Sequence, residues 1–333
     1  MSSWKDVTSF SAVKVTRHDG TQTGKIYANG LNQTEIVVYF EPTDVTGKLV
    51  TGLTSDDYLG PMALIDAVTG DHLNWKGDSE WFYSDTQNDY YYPVANNQTV
   101  ADITEGGYSF TFYVSCSADA TYKNMGVAVA FALADGTTFS TGDNSPNASK
   151  VTINTLKKII YNTENTKVIK DVVVNEELID KNIPESDHGI YLWGQINYGL
   201  YPNNDDGANN EFIKSELFNY LESDTHDGEK MKYCFYEKIY YWGNDRLAYF
   251  WPIHLDSPRV VGRGDYNLTI NTMKGAFNFT KVYYHHHDWK DFTYSDHVED
   301  NYAILTDQYG NSGKFHFVKF DSDGGDITVA SFN

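Results

Sequence analysis

The chain has 333 residues, which is long for one β-domain and comfortable for two domains. Its formal net charge is -21 at pH 7, from 25 Lys and Arg against 46 Asp and Glu, and the acidic residues are spread along the whole sequence. A field of this sign repels phosphate backbones and anionic lipids. It excludes nucleic-acid binding and docking to a membrane surface through a basic patch.

The aromatic content indicates the class of fold. The chain contains 7 Trp, 26 Tyr and 18 Phe. Flat rings pack well on the pleated, half-buried surface of a sheet, and a disordered chain would carry few of them. We therefore expect an ordered protein that is mainly β.

The start of the sequence lacks a basic segment followed by an apolar segment, so no signal peptide is recognised. No apolar run reaches the roughly 20 residues that a membrane helix needs. We expect a chain without a transmembrane segment that is synthesised in the cytoplasm. Its release or export, if any, would use a signal-independent route.

The first half of the chain consists of short runs of alternating or β-branched residues between turns. The run 108–114 alternates with period two, whereas 127–133 is apolar on both faces. The predicted strands are 12–16, 25–30, 34–40, 62–66, 108–114, 127–133 and 151–154. Strands of this number and spacing predict an N-terminal β-sandwich domain over residues 1–165.

The opening of this domain has a more specific pattern. Asn29-Gly30 forms a turn before the strand 34–40, and a hairpin containing Gly47 and Lys48 follows. Residues 27–50 resemble the opening strands of bacterial immunoglobulin-like domains of the invasin type. The resemblance implies an immunoglobulin-like sandwich for the N-terminal domain and no particular ligand.

The second half begins after a polar stretch near residue 165, and its aromatic strands predict a second sandwich over residues 166–333. Residues 210–221 place Phe212, Ile213 and Leu217 on one helical face, so this segment is expected to be a short helix or a loop. No repeat of fixed period is present. The sequence thus predicts two tandem β-sandwich domains, immunoglobulin-like or jelly-roll-like, with few helices.

Two groups of residues have the chemistry of metal ligands. His285 and His287 are two residues apart, so on a strand they would share one face and offer imidazole nitrogens to zinc. Asp321, Asp323 and Asp326 lie beside glycines and offer oxygen ligands to calcium. The alternatives are a solvated loop for the histidines and an ordinary hairpin turn for the aspartates. No cofactor is expected, and calcium or zinc is the alternative.

Two clusters of rings are candidates for binding sugars. Trp81, Tyr90, Tyr91 and Tyr92 form one cluster, and Trp193, Tyr198 and Tyr201 form the other. Planar rings stack on the apolar face of a sugar while nearby amides and carboxylates bind its hydroxyl groups. The alternative is that these rings pack on one another within the fold.

The sequence carries no nucleophile elbow, P-loop, dinucleotide-binding glycine pattern or paired Cys and His spacing. The leading expectation is a non-catalytic binding or host-directed interaction protein, effector-like or toxin-like, whose partner is a glycan or a cell-surface protein. One alternative is a self-assembling structural or inclusion-type protein. Another is a hydrolase that uses paired carboxylates or a bound metal.

Overall fold

A computed structural model describes most of the chain. The described residues are 3–77, 79–90, 107–178, 190–203, 210–219, 221–222, 232–239, 244–251, 253, 258–263, 266–286, 301–318 and 327–332. For residues 175–178, 190–193, 221–222, 232–239, 244–249, 259, 261–263, 266–267, 283–286 and 318 the description is of the backbone alone. The described chain is mainly β, as the composition predicts.

The chain divides into two compact units, Met1–Ile159 and Ile160–Asn333. Thr166, where the sequence places the start of the second domain, is the first residue of the second strand of unit 2. Each unit contains its own pair of packed sheets and its own aromatic core.

The described residues of unit 1 form ten strands and short helical turns. A short α-helix, α1, spans Ser55–Tyr58, and 3-10 turns span Trp4–Asp6 and Ala118–Ala120. The strands are β1 Ser9–Thr16, β2 Thr23–Ala28, β3 Thr34–Thr43, β4 Met62–Asp66, β5 Asn74–Trp75, β6 Trp81–Ser84, β7 Tyr108–Cys116, β8 Asn124–Ala132, β9 Thr138–Ser140 and β10 Val151–Lys157.

These strands form two sheets with the strand order of an immunoglobulin-like sandwich. One sheet has the order β1-β3-β7-β6-β5, and the other has the order β2-β10-β8-β4, with β9 also paired to β8. The pairs β3–β7 and β10–β8 are antiparallel, whereas β2 runs parallel to the last strand, β10. The first two strands thus lie one in each sheet, and the chain then places β3 in the first sheet, β4 in the second, β5 to β7 in the first and β8 to β10 in the second, which is immunoglobulin order. This confirms the architecture predicted from residues 27–50.

Asparagine side chains hold the turn between β2 and β3. Asn29 accepts hydrogen bonds from the backbone N–H groups of Leu31 and Asn32. Asn32 is fully buried; its Oδ1 accepts from the N–H of Tyr27 and its Nδ2 donates to the carbonyl of Tyr90, both at 2.8 Å. These bonds explain why two asparagines, rather than apolar residues, stand where the chain crosses between the sheets.

The core of unit 1 is formed by rings from both sheets. Phe40 on β3 and Phe131 on β8 lie 5.1 Å apart between ring centroids. Phe10 packs at 4.6 Å from Phe131 and at 4.7 Å from Phe139. Phe40 and Phe131 are fully buried, so this cluster fixes the two sheets of unit 1 against each other.

Unit 2 contains thirteen described strands. They are β11 Ile160–Tyr161, β12 Thr166–Leu178, β13 Ile190–Pro202, β14 Phe212–Phe218, β15 Leu221–Glu222, β16 Lys232–Ile239, β17 Asn244–Trp251, β18 Arg259–Arg263, β19 Tyr266–Ile270, β20 Phe277–His286, β21 Tyr302–Asp307, β22 Ser312–Val318 and β23 Thr328–Ser331.

The strand order of unit 2 repeats the central part of unit 1. One sheet has the order β12-β13-β20-β17-β16-β15, and the other has the order β11-β22-β21-β14, with β23 also paired to β22. The path β13-β20-β17 corresponds to β3-β7-β6, and β22-β21-β14 corresponds to β10-β8-β4. In both units an early strand runs parallel to a late strand, here β11 beside β22. Unit 2 is therefore a second immunoglobulin-like sandwich, enlarged by β15, β16 and the separate hairpin β18–β19.

The parallel strands β11 and β22 of unit 2 pack closely through their backbones. A Cβ atom on Gly313 of β22 would lie 2.2 Å from the carbonyl oxygen of Tyr161. Only glycine permits this approach. The core beyond it contains Phe250, Phe279 and Phe317, with Phe317 at 4.8 Å and 5.4 Å from the other two rings.

Residues 210–221, expected to be a helix or a loop, are mainly a strand. Strand β14 pairs antiparallel with β21 along its whole length, with one register shift near its start. Phe212 is buried 5.1 Å from the Tyr161 ring, and Phe218 stacks on Tyr302 at 4.6 Å. The helical spacing of the apolar residues was coincidental, because Ile213, one of the three on the helical face, is exposed. Sheet pairing decided the structure here.

Candidate binding surfaces

Two of the predicted sugar-stacking rings lie in the cores. Trp81 on β6 is 7% exposed and belongs to the core of unit 1. Tyr198 on β13 is 2% exposed and stacks on Phe279 at 4.9 Å with the rings almost parallel. Packing within the fold occupies the faces of both rings, which is the alternative that the sequence left open.

The other predicted rings are distributed differently. Tyr90 and Tyr201 are half-buried, and burial with nearby Glu211 raises the pKa of Tyr201. Trp193 lies in the first part of β13, residues 190–193, where the structure describes the backbone alone. Tyr91 and Tyr92 lie outside the described residues. A sugar site that uses these rings stays a prediction.

The predicted metal ligands lie largely outside the described residues. His285 is in β20, which extends to His286. His287, Asp321, Asp323 and Asp326 are not described. Within the described part of the chain, no group of three or more His, Cys, Asp or Glu side chains is placed to hold a metal ion. The calcium and zinc alternatives stay predictions.

The structure identifies a ring that the sequence analysis did not select. Trp75 on β5 is 47% exposed and lies opposite Tyr83 in the parallel pair β5–β6. Its indole meets the Tyr83 ring at 5.1 Å and 72°, and the Phe112 ring at 6.3 Å and 88°. These two buried rings fix the indole on one side while nearly half of it remains open to a ligand.

Charged groups lie beside this indole. Lys76 has a φ of 48°, and its N–H donates to the carbonyl of Tyr83 at 2.9 Å. Its Nζ lies over the Trp75 ring, 4.9 Å from the ring centroid, and 2.8 Å from Oδ1 of Asp85. The hydrogen bond from Lys76 is the main cause of the lowered pKa of Asp85. We define Trp75, Lys76 and Asp85 as the Trp75 surface.

The sequence does contain a signal that separates Trp75 from Trp81. Trp75 is followed by Lys76 and Gly77, which are typical of a turn, whereas Trp81 begins the ring-rich run 81–83 of a strand. A tryptophan at a turn keeps part of its indole in solvent. A tryptophan within a short strand next to β7 is covered.

A buried carboxylate organises unit 2 without facing solvent. Asp307 is fully buried; its Oδ2 accepts from the hydroxyl of Tyr161 at 2.7 Å and from Nδ2 of Asn311 at 3.1 Å. Its Oδ1 accepts from the N–H groups of Tyr309 and Asn311. Burial nevertheless raises the pKa of Asp307. Every oxygen of this group is used by the hairpin β21–β22 and by β11, so its role is structural.

A second buried polar group lies on one face of β13 and β20. Nε2 of Gln195 donates to the carbonyl of Thr269 at 2.6 Å, and its Oε1 accepts from the N–H of Thr269 at 3.2 Å. Asn197 donates to the same carbonyl and accepts from the hydroxyl of Thr280 at 2.7 Å. These amides therefore bind the end of β19 in the way that a neighbouring strand would.

In unit 1 the Cys116 thiol and the Glu35 carboxylate are buried. Burial, with Glu80 nearby, raises the pKa of the free thiol of Cys116 to about 12. Burial also raises the pKa of Glu35, although Arg17 lies 3.4 Å away. A thiol with this pKa stays protonated at neutral pH and is a poor nucleophile.

Comparisons with known proteins do not assign the chain to a family. No family model and no curated protein matches the chain. The solved structure of FdeC, described as an Escherichia coli adhesin, is 7% identical over 97% of this chain and 65% of its own length, with a TM-score of 0.23. The C-terminal domain of the Streptococcus agalactiae polypeptide BspA is 10% identical over 96% and 99% of the two chains, with a TM-score of 0.23.

A third solved structure is the collagen-binding domain of the Erysipelothrix rhusiopathiae surface protein RspB. It is 11% identical over 99% of this chain and 95% of its own length, with a TM-score of 0.16. Similarity this low carries no information about shared function. The immunoglobulin-like fold of both units rests on their own strand order. Within the described residues, no helix is long and apolar enough to cross a membrane.

Proposed function

We propose that this chain is a non-catalytic binding protein, and that unit 1 binds a glycan of a host cell surface through the Trp75 surface. The observation that carries the proposal is the indole of Trp75, which is nearly half exposed and fixed by Tyr83 and Phe112. A rigid, partly open indole loses little conformational entropy when a sugar stacks on it.

The neighbouring charges support a sugar ligand rather than a purely apolar one. Lys76 is a hydrogen-bond donor, and Asp85 accepts hydrogen bonds through both carboxylate oxygens. Both side chains are partly exposed, at 50% and 31%, so they are accessible to the hydroxyl groups of a sugar stacked on Trp75. A planar ring flanked by polar groups is the usual composition of such sites.

The buried ionisable groups also support a binding role. Among the described residues, Asp307, Glu35 and Cys116 are the carboxyl and thiol groups with raised pKa values, and such groups would attract attention in an enzyme. Each is enclosed, and the oxygens of Asp307 are bonded to the surrounding backbone and side chains. A catalytic group must reach its substrate, and these side chains hold the sandwiches together instead.

A glycan array tests the proposal directly. The labelled wild-type chain is compared with Trp75→Ala and with Val68→Ala, a matched truncation of an exposed residue of unit 1. We expect binding to a defined set of glycans that Trp75→Ala abolishes and Val68→Ala preserves. Binding to cells that survives enzymatic removal of their glycans would show a protein ligand and overturn the proposal, as would glycan binding that Trp75→Ala leaves unchanged.

A further inference from the structure

Strand β12 lies at one edge of the larger sheet of unit 2. It pairs with β13, and on its other side no strand is present among the described residues. An unpaired edge offers a row of backbone N–H and C=O groups to another strand. Among the other edge strands, β5 has two residues, β1 contains a bulge and β14 contains a register shift, whereas β2 and β4 are regular strands of six and five residues.

The side chains of β12 do not follow the alternation expected for a strand with one face in water. Val168 and Val172 project to one face and are 44% and 50% exposed. Ile169 projects to the other face and is 44% exposed, and Val173, at a register shift, is 39% exposed. Apolar residues on both faces are typical of a strand that is covered on both sides and flanked by two neighbours. The exposed surface of β12 therefore combines apolar residues on both faces with the charged residues Lys167, Lys170 and Asp171.

The part of β12 that can accept a neighbour is regular. From Thr166, opposite Pro202, to Val172, opposite Ile196, the pairing with β13 proceeds without a register shift. The first shift lies between Val172 and Val174. A straight edge thus runs from Thr166 to Val172, and its midpoint is Ile169.

We propose that two copies of this chain associate through β12, which pairs antiparallel with β12 of the second copy across a twofold axis at Ile169. In such a symmetric pair one residue lies opposite the same residue of the second copy. Residues at equal distances before and after it in the sequence then lie opposite each other. With Ile169 at the axis, Lys167 lies opposite Asp171 of the second copy, and Asp171 lies opposite the second Lys167. Thr166 lies opposite Val172, which is a β-branched pair.

The charges select this register from its neighbours. A twofold axis at Lys170 would place two ammonium groups directly opposite each other, which is destabilising in a cross-strand pair. An axis at Val168 would place Asp171 opposite Asn165 and leave Lys167 opposite Ile169. The register centred on Ile169 forms two cross-strand ion pairs on the face where the two isoleucines also meet. The strand is therefore self-complementary in both charge and apolar surface.

Sedimentation across a range of protein concentrations tests the association. We expect a monomer–dimer equilibrium for the wild-type chain, and a weakening by about tenfold or more for Ile169→Lys, because two like charges then face each other. Val45→Lys, which adds the same charge at an 85% exposed position in unit 1, should leave the equilibrium unchanged. A monomer at every concentration, or equal effects of the two variants, would overturn the proposal.

Charge exchange tests the register. Lys167→Asp alone should weaken the dimer, and Lys167→Asp combined with Asp171→Lys should restore it, since each ion pair is then reversed. A disulfide provides a second readout: under mild oxidation Ile169→Cys should form a covalent dimer, because directly opposed residues have the separation that a disulfide spans. Covalent dimers of Lys170→Cys in place of Ile169→Cys, or failure of the double variant to restore association, would contradict this interface.

Discussion

The hydroxyl group of Tyr161 on β11 donates a hydrogen bond of 2.7 Å to the carboxylate of Asp307, which lies at the end of β21. Both side chains are buried, and Nδ2 of Asn210 donates to the Tyr161 oxygen at 3.0 Å. This chain of hydrogen bonds connects the first strand of unit 2 to a hairpin formed near its C-terminus. It stabilises unit 2 through groups that are far apart in sequence.

Replacing Tyr161 with Phe should lower the free energy of unfolding of unit 2 by about 1–3 kcal/mol, because Oδ2 of Asp307 then keeps only the bond from Asn311 and the buried Nδ2 of Asn210 loses its acceptor. The Tyr161 hydrogen bond lowers the pKa of Asp307 against the opposing effect of burial. The decrease in the free energy of unfolding should therefore be larger at neutral pH than at a pH below 3.8, the ordinary pKa of the group. Urea unfolding at several pH values measures both effects.

Tyr122→Phe is the control for this variant, because Tyr122 is 75% exposed. Its removal of a hydroxyl should change the free energy of unfolding by less than about 0.5 kcal/mol. If Tyr161→Phe and Tyr122→Phe behaved alike, the structural role of the buried carboxylate would be wrong.

A hairpin in unit 1 gives a second pH dependence, which arises from an exposed carboxylate. Oδ1 of Asp135 accepts from the hydroxyl and the N–H of Thr137, and these bonds lower the pKa of Asp135. A group with a lowered folded-state pKa contributes stability above its unfolded pKa of about 3.8 and loses it as the pH falls through the folded value. Asp135→Ala should therefore destabilise unit 1 at neutral pH, and the difference from wild type should shrink in acid.

Thermal unfolding measured from neutral to acidic pH checks the effect of Asp135→Ala. The matched control is Asp71→Ala, an exposed carboxylate that makes no hydrogen bond to the described residues. A difference between wild type and Asp135→Ala that stays constant with pH would mean that the carboxylate charge does not contribute to this turn.

Replacing Asn197 with Ala should destabilise unit 2 strongly. The change removes acceptors for the Thr280 hydroxyl and the Gln195 amide, and a donor to the carbonyl of Thr269. The buried Thr280 hydroxyl then loses its acceptor, which costs about 1–3 kcal/mol, whereas the Gln195 amide and the Thr269 carbonyl still bond to each other. Hydrogen exchange at Thr269 should accelerate, since the side-chain amides bind this segment. Exchange at Thr269 equal to that of the wild type would show that the hairpin β18–β19 holds its position without them.

Much of the fold of unit 1 could be predicted from local pattern. The run 108–114 alternates in sequence, and in β7 Phe112 and Val114 point into the core. The Asn29-Gly30 turn marked the entry to β3, and the two asparagines nearby make the bonds that such turns need. These features are visible because each depends on neighbouring residues alone.

The expectations from the sequence differ from the structure where the outcome depends on pairing between strands that are far apart in the sequence. Trp81 is buried because β6 lies against β7, whereas Trp75 stands on the two-residue edge strand β5. The residues next to each tryptophan in the sequence do not show which of the two strands another strand will cover. Likewise β14 is a strand because β21 pairs with it, although its apolar spacing also fits a helix. The common strand order of the two units has no counterpart in sequence repeats, since a sandwich requires apolar alternation rather than particular residues.

The central claim is that the chain binds a glycan through the exposed indole of Trp75, and NMR of the tryptophan indole N–H groups tests it most directly. The chain has seven Trp, so the signals can be assigned by substitution, with Trp75→Phe identifying the signal of interest. On titration with a glycan selected from the array, we predict a saturable shift of the Trp75 signal and no shift of the buried Trp81 signal. Saturating binding that leaves the Trp75 signal unchanged would contradict the account.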